Sequence, residues 1–375
     1  MLIKITPIDS LLFRDGKPFT SGDSHNASSI FPPKPSVFAG FIRSKILMEN
    51  FDGDIENTWK KLENEIGYKN EKYGKLNIKA IFLNKDNEYY LQSPLDLVKE
   101  KRVEENKENE EKKEKKISVL TPKKLNLDCK TDVAIDSLPF SPKEVKFAEQ
   151  ESGFISIKNL EKYLLGENDI SLNHKCDFVE SEPRVGIEIE KDRKTTKEGR
   201  LYSVEFLRFK KNCSFSVLLD EINFGNKGIY FMGGEKRQVF CEKCEKENSD
   251  KILSNDFISK LKNKIRQNKK IKVLLITPSY NEINKGNIEP EKLKNLLKDI
   301  GVTFVSACIK TEDIGGFDIE KGQPKPIEKL ISSGSVFYYE LNDNNKIDDL
   351  IKLNFKSISS KDSELGYGKI LIGGW

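Results

Sequence analysis

Two alternating segments constrain this chain most: PRVGIEIE (183–190) and LYSVEFLRF (201–209), separated by KDRKTTKEGR (191–200). Alternation with period two marks a half-buried strand, and two such runs joined by a polar, glycine-containing link pair antiparallel. The prediction is a long β-hairpin with a basic tip, where Lys191, Arg193, Lys194, Lys197 and Arg200 face only Asp192 and Glu198. A two-stranded ribbon is marginal alone in water, so other layers must support it. Strands are predicted at 2–8, 78–83, 88–92, 215–220, 273–277, 302–309 and 335–341, with a turn at Asp86–Asn87. A helix begins near Ser36, placing Phe38, Phe41, Ile42 and Ile46 on one face and Arg43 on its flank. Further helices are expected at 256–266 and 290–300, the second opened by Pro290 and closed by Gly301. Strands and helices mixed without strict βαβ order predict an α+β protein of small open sheets.

At 375 residues, 37% of them hydrophobic, the chain suits two domains. The boundary is placed near 180, giving domains 1–180 and 181–375, the second carrying the basic hairpin and a terminal glycine loop. Residues 99–116 (KEKRVEENKENEEKKEKK) hold almost nothing apolar and read as a charged insertion, a solvated spacer. The net charge of +4 does not by itself predict nucleic-acid binding, so any basic surface must be local. No apolar run approaches the roughly 20 residues of a membrane span. The N-terminus lacks a signal peptide's apolar region, and six thinly spread cysteines suit a reducing compartment. The expectation is a soluble cytoplasmic protein.

Nine arginines stand among 64 cationic side chains. Where lysine is the default cation, an arginine suggests that a planar five-donor fork was needed. Seven of the nine fall in 10–45, 182–209 and 233–238, under a fifth of the chain. Buried ion pairs would cluster them as well as a binding surface would, and Arg208, which shares a strand face with Tyr202, Val204 and Phe206, is expected to be a buried partner of an acid.

Four segments carry the motifs. They are Phe13-Arg14-Asp15-Gly16-Lys17-Pro18-Phe19 with Phe31-Pro32-Pro33-Lys34-Pro35-Ser36 and Ala39-Gly40-Phe41-Ile42-Arg43; Arg184-Val185-Gly186-Ile187 with Glu198-Gly199-Arg200-Leu201-Tyr202 through Arg208; Gly233-Gly234-Glu235-Lys236-Arg237; and Gly366-Tyr367-Gly368 ending Ile372-Gly373-Gly374-Trp375. In this order and spacing the chain resembles the third-subunit family of the Cmr module, repeat-associated (RAMP) proteins of type III-B CRISPR effector complexes. The resemblance runs end to end and is weakest at 50–180 and 241–330.

The resemblance implies two ferredoxin-like, RRM-related domains with large inserted loops. It implies a non-catalytic subunit that holds the 5′ tag of the guide RNA and meets target RNA indirectly. Expected partners are the large polymerase/cyclase-like subunit and the backbone RAMP subunit. Candidate RNA-binding residues are Arg14, Lys17, His25, Ser36, Arg43, Arg184, Arg193, Lys194, Arg200, Gly233, Gly234, Lys236, Arg237, Gly373 and Gly374. Arginines hold phosphate bidentately, and glycine amides approach it without a Cβ in the way. Each glycine segment could equally be a tight turn that packs, with Trp375 a buried plug. The tip 191–200 is read as a wedge against the guide–target duplex, or as a solvated loop.

The alternative class is a RAMP endoribonuclease processing repeat transcripts, with His25 or His174 as base, but no nucleophile–base–orienter set is visible. Cys241 and Cys244 form half a zinc-ribbon pattern without a second pair, so no metal and no cofactor is assigned; otherwise they are loop cysteines.

Overall fold

The computed structural model describes residues 1–14, 26–67, 72–100, 117–124, 137–141, 148–189, 196–245, 252–281, 288–318 and 323–375. The chain divides into two discontinuous compact units. The first is Met1–Asn87, Lys175–Lys246 and Glu312–Leu330; the second is Glu88–His174, Glu247–Thr311 and Ile331–Trp375.

The first unit contains β1 (Leu2–Pro7), α1 (Pro35–Glu49), β2 (Ile78–Lys85), the hairpin β3 (Val179–Ile189) and β4 (Thr196–Phe209), β5 (Cys213–Leu219), β6 (Gly228–Phe231) and β7 (Gln238–Lys243). Its sheet runs β2-β5-β1-β7-β6, every pair antiparallel. Numbered along the chain, β7-β1-β5-β2 is the ferredoxin order 4-1-3-2, with α1 joining the first and second strands. Between β5 and β7 the edge strand β6 and a 3-10 turn replace the second helix. Helix α1 starts at Pro35, whose missing amide costs nothing at a first turn. It buries Phe38, Phe41, Ile42 and Ile46 over β1 and β5, where Phe38 packs edge-on against Phe215 at 5.1 Å. Asp86 and Asn87 both take positive φ, as a tight turn after β2 requires.

The second unit repeats the plan more completely. Helices α2 (Ile157–Leu164) and α3 (Asn255–Asn268) precede β8 (Lys270–Leu275), α4 (Glu291–Leu297), β9 (Val302–Cys308), β10 (Val336–Leu341), α5 (Ile347–Ile351) and β11 (Ile370–Gly374). The sheet order β11-β8-β10-β9 is again 4-1-3-2 and antiparallel throughout. From β8 onward the elements of this sheet and its helices follow β-α-β-β-α-β, the ferredoxin connection, interrupted by the strands Ser279–Tyr280, Thr311–Asp318 and Gln323–Ile331 of a separate three-stranded sheet. The two ferredoxin-like sheets and the long hairpin are therefore present.

Two local readings are corrected. The terminal glycine segment is not a loop: residues 370–374 form β11, paired with β8 through Ile271–Gly374 and Lys272–Gly373. A Cβ on Gly373 would lie 2.8 Å from Leu164 Cδ2, so that glycine lets the strand lie tight on α2. Cys241 is no loop cysteine but a buried residue of β7, opposite Ile5. Of the charged insertion, Lys99 and Glu100 end a strand, Leu97–Glu100, and 101–116 lie outside the described residues. No helix among the described residues is long and apolar enough to cross a membrane.

Candidate nucleic-acid interface

The foot of the β3–β4 hairpin, the end away from its tip, gathers three of the motifs. Leu11 and Leu207 exchange backbone hydrogen bonds at 2.9 and 2.8 Å, and Ala27 pairs with Val204. Ser29 Oγ donates to the Glu205 carbonyl (2.7 Å) and accepts from the Phe13 amide (3.3 Å). Leu12, Ala27, Val204 and Phe206 close a small buried patch beneath. These contacts fasten the hairpin to the segments on either side of 15–25 and leave Arg14, bridged by backbone to Ser29, exposed.

Alternation puts Glu182, Arg184, Phe206 and Arg208 on one hairpin face. There three guanidinium groups meet three carboxylates. Arg237 donates to Asp9 Oδ2 (2.8 Å) and Glu235 Oε2 (2.9 Å). Arg184 donates to Glu182 Oε1 through Nε (2.9 Å) and Nη2 (2.7 Å), and to Ser10 Oγ (2.8 Å). Arg208 donates to Glu182 Oε2, and Asp9 lies 3.9 Å from both Arg184 and Arg208. The guanidinium carbons of Arg184 and Arg237 each sit 4.5 Å from the centre of the Phe206 ring, within cation–π range.

The field of this cluster holds its acids ionised. The Ser10 amide, and after it the arginines, keep the Asp9 carboxyl below the usual carboxylate range against the opposing effect of burial. Hydrogen bonds from Arg208 and then Arg184 do the same for Glu182. Arg208 is thus an ion-pair partner as expected, but half exposed rather than buried: its side chain keeps 50% of its accessibility.

Gly233 takes φ 77° and ψ −159°, and a Cβ there would fall 2.6 Å from the Leu12 carbonyl. The Gly234 amide donates to that carbonyl at 2.8 Å, so it is directed into the chain. The Met232 amide closes the turn on the Arg237 carbonyl (2.8 Å), leaving Gly233 and Lys236 exposed.

The remaining candidates separate. Ser36 is exposed in the first turn of α1. Arg43 is half-buried and caps backbone carbonyls, donating to Ile66 O (2.9 Å) and Lys72 O (2.7 Å). Gly373 and Gly374 are buried in β11 of the second unit, and Trp375 donates its indole N–H to Ile271 O at 2.9 Å. Lys17, His25, Arg193 and Lys194 lie outside the described residues, as does the side chain of Arg200. His174 faces Glu151 at 3.7 Å. Burial pushes the Cys241 thiol up to about 12, away from the thiolate that zinc takes. Among the described residues no group of three or more His, Cys, Asp and Glu side chains is placed to hold a metal ion.

Sequence reasoning named the arginines and missed their acids. Asp9, Glu182 and Glu235 sit in or beside the motifs, but pairing across 228 positions (Arg237 with Asp9) leaves no local signal.

Two 4-1-3-2 sheets, with a long hairpin fastened into the first, define a double ferredoxin-like α+β protein. The family described as CRISPR-associated protein (Cas_Cmr3) matches residues 3–375, and the chain belongs to that family. A chain in the cryo-EM structure of the Type III-B Cmr-beta bound to cognate target RNA is similar over 99% of this chain and 96% of its own, at 20% identity and TM-score 0.50. A chain of the same assembly with target RNA and AMPPnP, state 1, is 18% identical over 93% and 88%, at TM-score 0.46. A chain of the Csm3-Csm4 subcomplex in the type III-A CRISPR-Cas interference complex is 14% identical over 91% and 92%, at TM-score 0.37. No match to a curated protein was found.

Proposed function

We propose that this chain is a non-catalytic, RNA-holding subunit of a type III-B effector complex and engages the 5′ tag of its guide RNA. Membership of the Cas_Cmr3 family supports the setting. The observation that carries the RNA reading is the convergence of Arg184, Arg208 and Arg237 around Phe206, with Arg14 and Lys236 exposed nearby in the same unit. Carboxylates hold all three forks in fixed orientation, while Arg184 and Arg208 stay 39% and 50% accessible, so donors remain for phosphate or 2′-hydroxyl oxygens. Neighbours of the large polymerase/cyclase-like and backbone RAMP types complete the reading.

A second reading has its own support: three guanidinium groups matched by three carboxylates form a neutral cluster, which suits an adaptor that fastens neighbouring subunits. Mobility shifts of tag-bearing against scrambled-tag guide separate the two. Arg184→Ala with Arg237→Ala should cut tag preference about tenfold or more, since a charge-assisted hydrogen bond is worth roughly 1.5–3 kcal/mol. Unchanged RNA preference with lost complex assembly would favour the adaptor. Cleavage of repeat RNA by the purified chain, abolished by His25→Ala, would overturn the non-catalytic assignment.

A further inference from the structure

We propose that a second, lysine-built cleft at the foot of the hairpin takes the phosphate backbone of single-stranded RNA without regard to its sequence. The proposal rests on the RNA-holding reading and extends it to residues outside the motifs. The cleft encloses about 530 Å³ where β4 turns into β5. Its walls carry Lys85, Arg208, Lys210 and Lys211 against Asp177 and Glu180; with Arg208 matched by Glu182, three lysines face two carboxylates, an excess of one positive charge in a chain whose overall net is +4.

The frame beneath these cations is fixed. The Lys210 amide donates to Phe178 O (2.9 Å) and the Cys213 amide to Lys210 O (3.1 Å), which closes the turn. Asn212, at φ 61°, donates through Nδ2 to Asp86 Oδ1 (2.8 Å) and accepts the Asp86 amide (3.3 Å). Cys213 pairs with Lys85 across the sheet, so the strand end and the turn present their lysines side by side. Arg208 is held by Glu182, and Lys210 lies 3.4 Å from Glu180. Among the described residues Lys85 and Lys211 make no salt bridge, which leaves two ammonium groups without an acid.

Two unpaired cations in an open, rigid cleft fit a polyanion that brings its charges in a row. Phe209, half-buried in the same wall, adds an aromatic surface of the kind that bases stack on, which favours RNA over an acidic protein surface. Lysine supplies charge without the bidentate geometry that would select a particular group.

The test is the salt dependence of binding. The purified full chain, wild type and Lys85→Gln/Lys211→Gln, is titrated with fluorescent single-stranded RNA carrying either the tag or a scrambled tag. Each phosphate contact contributes about 0.7 to the slope of log affinity against log salt for single strands. The double variant should therefore lose about 1.4 from that slope with both RNAs. From about 50 to 200 mM salt, the wild type should lose about sevenfold more affinity than the variant. Glu180→Gln, which frees Lys210, should strengthen binding of both RNAs. The ratio of tag to scrambled affinity should not change in any of these variants.

Unchanged slopes would overturn the proposal. So would unchanged slopes with failed assembly, which would give the cleft to an acidic protein surface. A wild-type chain that ignores the tag yet loses slope with the lysines keeps this cleft and sinks the tag reading; a chain that binds neither RNA sinks both.

Discussion

Raising the pH from 7 to about 9.5 should stabilise the second unit, and Lys272→Met should remove that gain. Lys272 is 1% exposed, on the face of β8 opposite to Ile271 and Val273, with its ammonium 3.4 Å from the centre of the Tyr163 ring. Asp96, wholly buried, accepts the hydroxyls of Tyr163 (2.7 Å) and Tyr338 (2.5 Å). Burial drives the Lys272 pKa from 10.5 down to about 8, against the attraction of Asp96. Between those values the unfolded chain binds more protons than the folded one, so stability rises with pH across that window. With a folded value of about 8, the linkage amounts to about 2 kcal/mol between pH 7 and 9.5. Tyr163, Tyr338 and Tyr339 are raised well above 10 and burial lifts the Cys308 thiol from 9.0 to about 12, so their opposing slopes set in only near the top of the window, in wild type and variant alike. Asp96 is raised by burial and held back by Lys272, so it contributes the opposite slope from 3.8 upward; removing Lys272 raises it further, which carries that slope to higher pH in the variant and adds to the expected difference.

The assay is urea unfolding followed by tryptophan fluorescence in a Trp59→Phe background, which leaves Trp375 as the remaining indole. That ring stands edge-on to Tyr338 at 5.5 Å and reports on this core. The stability difference between wild type and Lys272→Met should move by about 2 kcal/mol over the window. A difference that stays constant from pH 7 to 9.5 would refute the reasoning.

The other predictions concern packing and the arginine cluster. Gly373→Ala should cost about 1–3 kcal/mol by overpacking, because its Cβ would meet Leu164 Cδ2 at 2.8 Å and Leu164 Cα and O at 3.1 Å; thermal melting read by Trp375 fluorescence checks it. Gly233→Ala combines a backbone conformation costing about 1–3 kcal/mol for other residues with a contact on Leu12 O at 2.6 Å, and should expose 232–237 to limited proteolysis. Asp9 contributes stability above its ordinary carboxylate range that is lost as pH falls through its lowered folded value. Asp9→Asn should therefore be less stable than wild type at pH 6, with the two converging in urea midpoints as the pH falls below the ordinary carboxylate range.

Local signals carried the elements that local chemistry dictates. The hairpin, α1 and its Pro35 start, the Asp86–Asn87 turn and the helices near 256 and 290 follow from period, caps and turn residues within a few positions. Helix α2 was not anticipated: Ser156 caps it by accepting the Asn159 amide ahead of Ile157, Leu160 and Leu164, but its eight residues sit in a weakly patterned stretch. Nor was strand β11: glycines in a strand carry no β signal, and their reason lies in α2, two hundred residues earlier. The candidate site divided in the same way. Residue type marked the arginines, while the placing of Glu182 beside Arg208 and of Lys85 opposite Cys213 came from sheet register, and Asp9 and Glu235 came from tertiary contact.

Arginine and lysine play different parts in this chain, and the difference sharpens the proposal of an RNA surface. The sequence argument held that arginine was used where a fork was required. The forks are indeed engaged, but Asp9, Glu182 and Glu235 engage them, so the cluster carries no net charge. An RNA phosphate reaching Arg184 or Arg237 would exchange with a carboxylate rather than neutralise a free cation. Such exchange favours geometry over charge and should depend only weakly on salt. The lysines of the neighbouring cleft, carrying the unmatched charge, should supply the salt-sensitive attraction instead. Selectivity from forks and attraction from ammonium groups would then reside on two patches of one hairpin foot, and variants of each should separate them.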